Sequence, residues 1–350
     1  MKLLITGANG FLGKYVVAEA LRRGHTVRAM VRSPKDAEKN GWAGHPRIEL
    51  AHADLRRRKD LPDACRGVDA VLHLAAAKAG DMYAQYFGTV VATENLLWAM
   101  EQASVKRIVL VSSYSVYDYL KIPMFSTLSE LSPVEKDAFD RDEYAHTKLV
   151  QERLVRMWCT ERRWDFTVLR PGVIFGRDNL WTARVGIQGK KLWVRTGAWA
   201  RLPLTYVENV ADAIVLSAEL DAAKNQILNV VDDEHPTQRK YCALLRKRTT
   251  PRPRVVPVSY TVMRLIAGGA SLFNKWMCGG KAKIPGLFVT SRLAARAKPL
   301  RYTNAEVKKV LGWKPRFGLV ESLDRSTAAT DAAQAAVRAE AGTAAVRASA

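Results

Sequence analysis

A doubly wound parallel α/β sheet followed by a smaller C-terminal lobe is the architecture this sequence predicts. Three observations lead there. Short apolar segments alternate with helical periodicities over the first 170 residues. The turns between them are short. Only about six or seven strands fit, too few to close a barrel.

Taken in order, residues 2–6 form a continuous apolar strand, and residues 11–23 carry helical spacing that Gly24 ends. Strands follow at 25–31 and 47–51, then a buried-type strand at 69–75. Residues 83–103 are helical, 107–112 a strand, 143–163 a helix and 165–170 a further strand. Past Pro171 the pattern loosens up to Arg201, with Gly, Trp and basic residues. Strand–helix–strand spacing returns over 204–231 and is expected to rejoin the sheet. The first domain is therefore read as residues 1–170 with 204–231, and the lobe, helical in pattern, as 171–203 with 232–325. Residues 326–350 hold 12 alanines and balanced charges, and read as a disordered tail or frayed helix.

At 350 residues, 48% hydrophobic and 25% charged, the chain has ample material for one large domain or two modest ones. Its four cysteines, Cys65, Cys159, Cys242 and Cys278, never form a CxxC pair, so neither a zinc site nor a disulfide framework is expected. The first apolar run leads straight into a glycine turn rather than a signal peptide, which makes a cytoplasmic setting the expectation. The formal net charge is +21, and residues 236–325 supply +17 of it through 20 Lys+Arg against 3 Asp+Glu. No recognition helix, zinc finger pattern or aromatic-interleaved RNA motif accompanies that excess. Nucleic acid is therefore not the expected partner, and a solvated basic face is the plain alternative.

Gly7-Ala8-Asn9-Gly10-Phe11-Leu12-Gly13 links the first strand to the first helix. Glycine is needed where the chain turns tightly, where backbone meets pyrophosphate and where helix packs on strand. The helix N-terminus then presents free N–H groups and a positive dipole. This marks a Rossmann dinucleotide site at Gly7, Asn9, Gly10, Phe11, Leu12 and Gly13, against the alternative of glycines that only make a turn. The second strand ends Val31-Arg32-Ser33, with no carboxylate until Asp36, where NAD enzymes usually place an acid for the ribose. Arg32 offers a fork suited to the 2′-phosphate of NADP, and Lys39 a second charge. NADP is the expected cofactor, with NAD as the alternative. Asp54 and Leu55 follow the third strand and are placed at the adenine, although Asp54 also reads as a helix cap.

Tyr144-Ala145-His146-Thr147-Lys148 sets a phenol and an ammonium at i and i+4 on one helical face. A free tyrosine has a pKa of about 10. A neighbouring lysine charge favours phenolate and draws it towards working pH, and the lysine can also hold the nicotinamide ribose. The spacing is common on helix surfaces, so other motifs must support it. Val111-Ser112-Ser113-Tyr114-Ser115-Val116-Tyr117 puts serines at the carboxyl end of a parallel strand, facing the ligand crevice. A hydroxyl there can orient a substrate carbonyl and stabilise charge on its oxygen, or simply cap a turn. In Leu72-His73-Leu74-Ala75-Ala76, residues Leu74, Ala75 and Ala76 let the cofactor approach, while His73 reads as a packed, hydrogen-bonded residue.

These landmarks, in this order, resemble the extended short-chain dehydrogenase/reductase superfamily, also known as the NAD-dependent epimerase/dehydratase family, over about residues 1–325. The shared motifs are the GxxGxxG turn, the HxAA strand, the SSxxVY segment, YxxxK and the run 169–176. Tyr206-Val207-Glu208-Asn209-Val210-Ala211 and Leu311-Gly312-Trp313-Lys314-Pro315 complete the set. The resemblance implies Ser113 as catalytic serine, Tyr144 as general acid/base and Lys148 as its modulator. It places Ser112 at the cofactor and has Pro171, Gly172, Val173 and Ile174 border the nicotinamide. It also implies a homodimer built through residues 83–103 and 143–163. One departure stands out: Thr89 occupies the place of the asparagine that serves the family's proton relay.

Val173 stands where nucleotide-sugar epimerases and dehydratases usually carry a phosphate-binding asparagine. Neither Tyr114 nor Ser115 supplies the carboxylate that dehydratases pair with the serine. The stretch from Tyr206 to Ala211 is similar to the 3-beta-hydroxysteroid dehydrogenase branch, and Arg32 in its setting to the dihydroflavonol reductases. The expected activity is hydride exchange between a nicotinamide cofactor and a small-molecule carbonyl or secondary alcohol bound by the C-terminal substrate lobe. The alternatives are a nucleotide-sugar epimerase/dehydratase that retains NAD, and a non-catalytic NAD(P)-binding scaffold or sensor. Residues 255–278 are mostly apolar, broken by Arg264 and Lys275 and flanked by basic residues. Their longest uncharged run falls far short of the roughly 20 residues of a spanning helix. Peripheral contact with an anionic membrane through 255–283, and a helix packed on the lobe, are both open readings.

Overall fold

In the computed structural model, which describes residues 1–33, 35, 40–42, 44–138, 141–197, 200–250, 252–278, 289–328, 337 and 339, strands and helices alternate from the start. The order begins β1 (Lys2–Thr6), α1 (Phe11–Arg22), β2 (Thr26–Val31), β3 (Ile48–His52), α2 (Leu61–Cys65) and β4 (Ala70–His73). It continues with α3 (Met82–Tyr86), a π turn (Phe87–Val91), α4 (Ala92–Gln102), β5 (Arg107–Val111) and a 3-10 turn (Tyr114–Val116). Next come β6 (Thr127–Leu128), α5 (Glu143–Arg162), β7 (Asp165–Pro171), β8 (Val173–Phe175), β9 (Gly186–Gln188) and β10 (Leu192–Thr196). β11 (Leu204–Tyr206), α6 (Val207–Glu219) and β12 (Gln226–Val230) follow.

Seven strands form the central sheet in the order β12-β7-β5-β4-β1-β2-β3, all paired in parallel. The order reverses between β1 and β4, where Thr6 lies opposite His73, so the crevice at their carboxyl ends is the switch point at which such sheets bind ligands. β1, β4 and β5 read as continuous apolar runs because helices cover both faces. On one face Leu3 and Ile5 pack with Val16 of α1 and Val210 and Ile214 of α6. On the other Leu4, Val71 and Ile108 pack with Leu96 of α4 and Val155 of α5.

Of the segment 204–231, only β12 enters the central sheet. β11 instead pairs in parallel with β8. The chain leaves the sheet at Gly172, where a Cβ would sit 2.2 Å from the Pro203 carbonyl oxygen, and this close approach clasps the two short strands. The lobe is also less helical than its periodicity predicts. β13 (Arg254–Val258) pairs with β10 and completes a three-stranded sheet, β13-β10-β9. The apolar run expected to be one helix is therefore a strand followed by α8 (Tyr260–Cys278), while residues 279–283 fall outside the described residues. α7 (Gln238–Lys247), α9 (Thr290–Ala297), β14 (Arg301–Tyr302), α10 (Ala305–Leu311) and α11 (Leu319–Thr327) complete the lobe.

Candidate active site

Gly7 adopts φ 69° and turns the chain beneath the end of β4, where a Cβ would lie 3.0 Å from the Ala75 nitrogen. A Cβ at Gly13 would meet the Gly7 oxygen at 2.1 Å, so α1 packs directly on the turn. Gly10 N–H donates to the Gly7 carbonyl at 2.9 Å. α1 has neither a side-chain cap nor an acid in its first turn, so its first N–H groups and its dipole are left to a ligand. A cradle that side chains would fill, closed by a helix N-terminus, fits the pyrophosphate of a dinucleotide. Phe11 and Leu12 pack half-buried on the core, and the Asn9 amide oxygen accepts from Asn40 at 2.5 Å, so the loop serves phosphate mainly through its backbone. Leu74, Ala75 and Ala76 line the neighbouring strand end and are half-buried.

Arg32 is exposed just past β2. Asp54 pairs with Arg56 at 2.6 Å, and that guanidinium, helped by the backbone N–H of Arg56 and by Arg32, holds its carboxyl down to about 2. Its partner is thus a local arginine. Leu55 packs half-buried, and its carbonyl accepts from Asn95 at 3.0 Å. Lys39 lies outside the described residues.

Asp142 caps α5 by accepting from Ala145 N–H at 2.7 Å, which fixes where the helix begins and carries Tyr144 and Lys148 to the crevice. β5 and β7 lie side by side, so Ser113 after β5, and Pro171 at the end of β7 with Gly172, Val173 and Ile174 after it, leave the sheet at the same edge. The Ser113 hydroxyl neighbours the Tyr144 phenol and favours its ionisation, and its oxygen accepts from Ser115 N–H at 3.1 Å. The Lys148 ammonium donates to the Val111 carbonyl and to Gln151 Oε1, both at 2.8 Å. Burial, then repulsion from Lys78, pushes Lys148 down to about 7 against the pull of Glu152.

The electrostatics differ from the expectation in one respect. Burial, with the Asp142 charge adding to it, raises the Tyr144 pKa, and the Ser113 hydroxyl opposes it. Lys148 is not among the groups that draw the phenol down; its ammonium is bonded to the β5 backbone and Gln151. Ser112 also differs: its buried hydroxyl donates to Glu152 at 2.7 Å, so the crevice meets only its backbone.

Beneath these groups lies a polar layer that motif reading overlooks. Glu152 accepts from Arg170 Nε at 3.1 Å and from Arg170 Nη2, and both side chains are 3% exposed. Arg170 donates on to the Tyr117 hydroxyl at 3.2 Å, which donates to Asn229 at 2.7 Å, joining β5, α5, β7 and β12. A second chain runs beside it. Thr93 gives its hydroxyl proton to the Thr89 carbonyl at 2.6 Å, so His73 must donate from Nε2 to Thr93 at 2.9 Å and accept at Nδ1 from Thr6 at 2.7 Å. Burial, with Lys148 nearby, lowers His73 to about 3, consistent with a neutral packed imidazole. Gln151 donates to Thr93 at 2.8 Å and so ties Lys148 to this chain. Thr89 sits in the π turn, buried, its hydroxyl accepting from Ala77 N–H at 3.0 Å. The sequence signal for Gln151 and Glu152 is their spacing: i+3 and i+4 from Lys148 put them on the same helical face. Lys78 had a weaker signal, as a lone cation in a small-residue loop after β4.

The sequence model of the NAD dependent epimerase/dehydratase family matches residues 3–230. The chain is 32% identical over 196 residues to sterol demethylase protein B of Methylococcus capsulatus, a match that covers 55% of this chain and 56% of that protein. It is 28% identical over 348 residues to a 4-hydroxy-2-methyl-3-oxo-4-farnesyl-3,4-dihydroquinoline-1-oxide ketoreductase of Stigmatella aurantiaca, covering 96% and 99%. Among solved structures, the UDP-glucose-4-epimerase of Stenotrophomonas maltophila with bound NAD superposes with TM-score 0.70 at 20% identity, over 98% of this chain and 99% of that one. At that identity the likeness establishes the fold.

Proposed function

Since the chain belongs to the NAD dependent epimerase/dehydratase family, we propose that it is an NAD(P)-dependent oxidoreductase exchanging hydride with a carbonyl or secondary alcohol. The observation that carries this reading is the meeting of Ser113, Tyr144 and the buried Lys148 at the end of β5, across from a glycine cradle that fits a dinucleotide. The relative named as a ketoreductase supports it. When bound, the reduced nicotinamide supplies the hydride. Ser113 holds the carbonyl oxygen and stabilises the charge that develops there, and Tyr144 delivers a proton to that oxygen. The phenol is protonated at neutral pH, the form a proton donor needs, and burial keeps it so. Lys148 spends two N–H groups on Val111 and Gln151 and keeps one for a ribose hydroxyl. Lys78 and Lys148 repel each other, and an anionic dinucleotide relieves that repulsion.

We assign NADP as the cofactor. Arg32 is exposed at the β2 end, and Asp54, whose carboxylate senses its charge, is already engaged by Arg56. Arg32→Ala removes a charged hydrogen bond of about 1.5–3 kcal/mol, so kcat/KM for NADPH falls roughly 10- to 100-fold. The value for NADH hardly changes. Equal losses with both cofactors contradict the assignment. We propose that a second copy of the chain packs against residues 83–103 and 143–163, where Tyr83, Phe87 and Met157 are exposed.

A further inference from the structure

α8 buries one side and leaves the other bare. Met263 and Ala267 pack against Leu293 and Ala297 of α9. The opposite stripe runs through Leu265, Ile266, Leu272, Phe273 and Trp276, of which Leu265 and Leu272 are 71% exposed and Trp276 81%. These positions recur at helical spacing, so they form a continuous apolar ridge rather than scattered surface residues. Among the described residues no helix is long and apolar enough to cross a membrane.

Two further observations decide what covers the ridge. From residue 235 to residue 305 the sequence holds 15 Lys+Arg and not one Asp or Glu. An apolar ridge with a Trp and a Phe, carried on a basic stretch of chain without an acidic residue, complements a surface that is anionic outside and apolar beneath. A second copy of this chain would bring equal positive charge against it. The second observation is position. α9, on which α8 rests, is fixed to both shoulders of the crevice. Arg292 donates to the Arg141 carbonyl and lies 3.8 Å from Glu143, the residue before Tyr144. Lys298 donates to the Tyr119 carbonyl at 2.7 Å and to that of Ile122, holding the loop that follows Ser113. That loop itself exposes Leu120, Met124 and Phe125.

We propose that α8 is an interfacial helix that seats the mouth of the active site on an anionic membrane surface, so that the carbonyl substrate enters from the lipid phase. The seating stands on the ridge and the charge; the substrate route rests on the oxidoreductase reading above. The test uses the full chain with vesicles of phosphatidylcholine alone or mixed with phosphatidylglycerol, and a Leu272→Ser/Trp276→Ser variant, both positions being exposed and away from the crevice. Wild type is expected to bind the mixed vesicles, less so at high salt, and the variant to bind at least about tenfold more weakly, since two large apolar side chains of the ridge are lost. The two proteins should have the same mass in vesicle-free solution and equal turnover of a water-soluble ketone. Only a long-chain ketone dissolved in the mixed vesicles should be turned over more slowly by the variant. Absence of vesicle binding by wild type overturns the proposal, as does a loss of oligomeric mass in the variant, which would assign the ridge to chain–chain contact. Vesicle binding without turnover of any ketone would keep the seating and overturn the substrate route together with the oxidoreductase reading.

Discussion

Tyr144→Phe is expected to lower kcat roughly 10²- to 10⁴-fold, the usual worth of a positioned acid–base group, while leaving the thermal midpoint and dinucleotide affinity almost unchanged. The ring stays, so its packing stays; what goes is the hydroxyl beside Ser113. Burial and the Asp142 charge disfavour phenolate, Ser113 favours it, and the balance raises the pKa, so the group stays protonated through neutral pH. Reduction therefore holds a plateau through neutral pH and falls only on the alkaline side, whereas alcohol oxidation, which needs the phenolate, rises with pH. Single-turnover kinetics across pH, with a thermal melt as the control, checks both statements. A variant that turns over as fast as wild type would remove Tyr144 from the mechanism.

Glu152→Ala is expected to be the most destabilising single change in this crevice, at about 3–5 kcal/mol. The pair with Arg170 is 3% exposed on both sides, and removing the carboxylate leaves a guanidinium in the interior with only Tyr117 as a neutral partner. Burial alone would lower the Arg170 pKa; the Glu152 carboxylate outweighs it and holds that pKa raised. Ser112 loses its acceptor in the same step. The thermal midpoint should fall by roughly 5–10 °C. Glu152→Gln keeps one acceptor and the volume, and should lose less. If Glu152→Ala melts within a degree or so of wild type, the Arg170 network does not carry stability.

The sheet and the crevice were legible because their signals are local. A glycine turn at residue 7 and a Tyr/Lys pair at i,i+4 each demand a particular backbone, and the structure brings them to one edge with Ser113. What stayed hidden depends on which side of an element faces inward. α5 buries Thr147, Lys148, Gln151 and Glu152, a polar stripe, so apolar periodicity could not reveal it. β8 and β11 have three residues each, too few to show a period of two. The π turn at Thr89 leaves no mark in composition. β13 was absorbed into the helix after it because Val255, Val256 and Val258 extend the same apolar run.

The most direct test of the central claim follows the hydride itself. NADPH carrying deuterium at the nicotinamide C4 is mixed with the protein and a panel of ketones, and the products are weighed by mass spectrometry. The proposed chemistry gives an alcohol one deuterium heavier, with an equal amount of NADP⁺ released to solution. Undiminished NADPH beside a sugar nucleotide epimerised without label, on NAD that never leaves the protein, would contradict it.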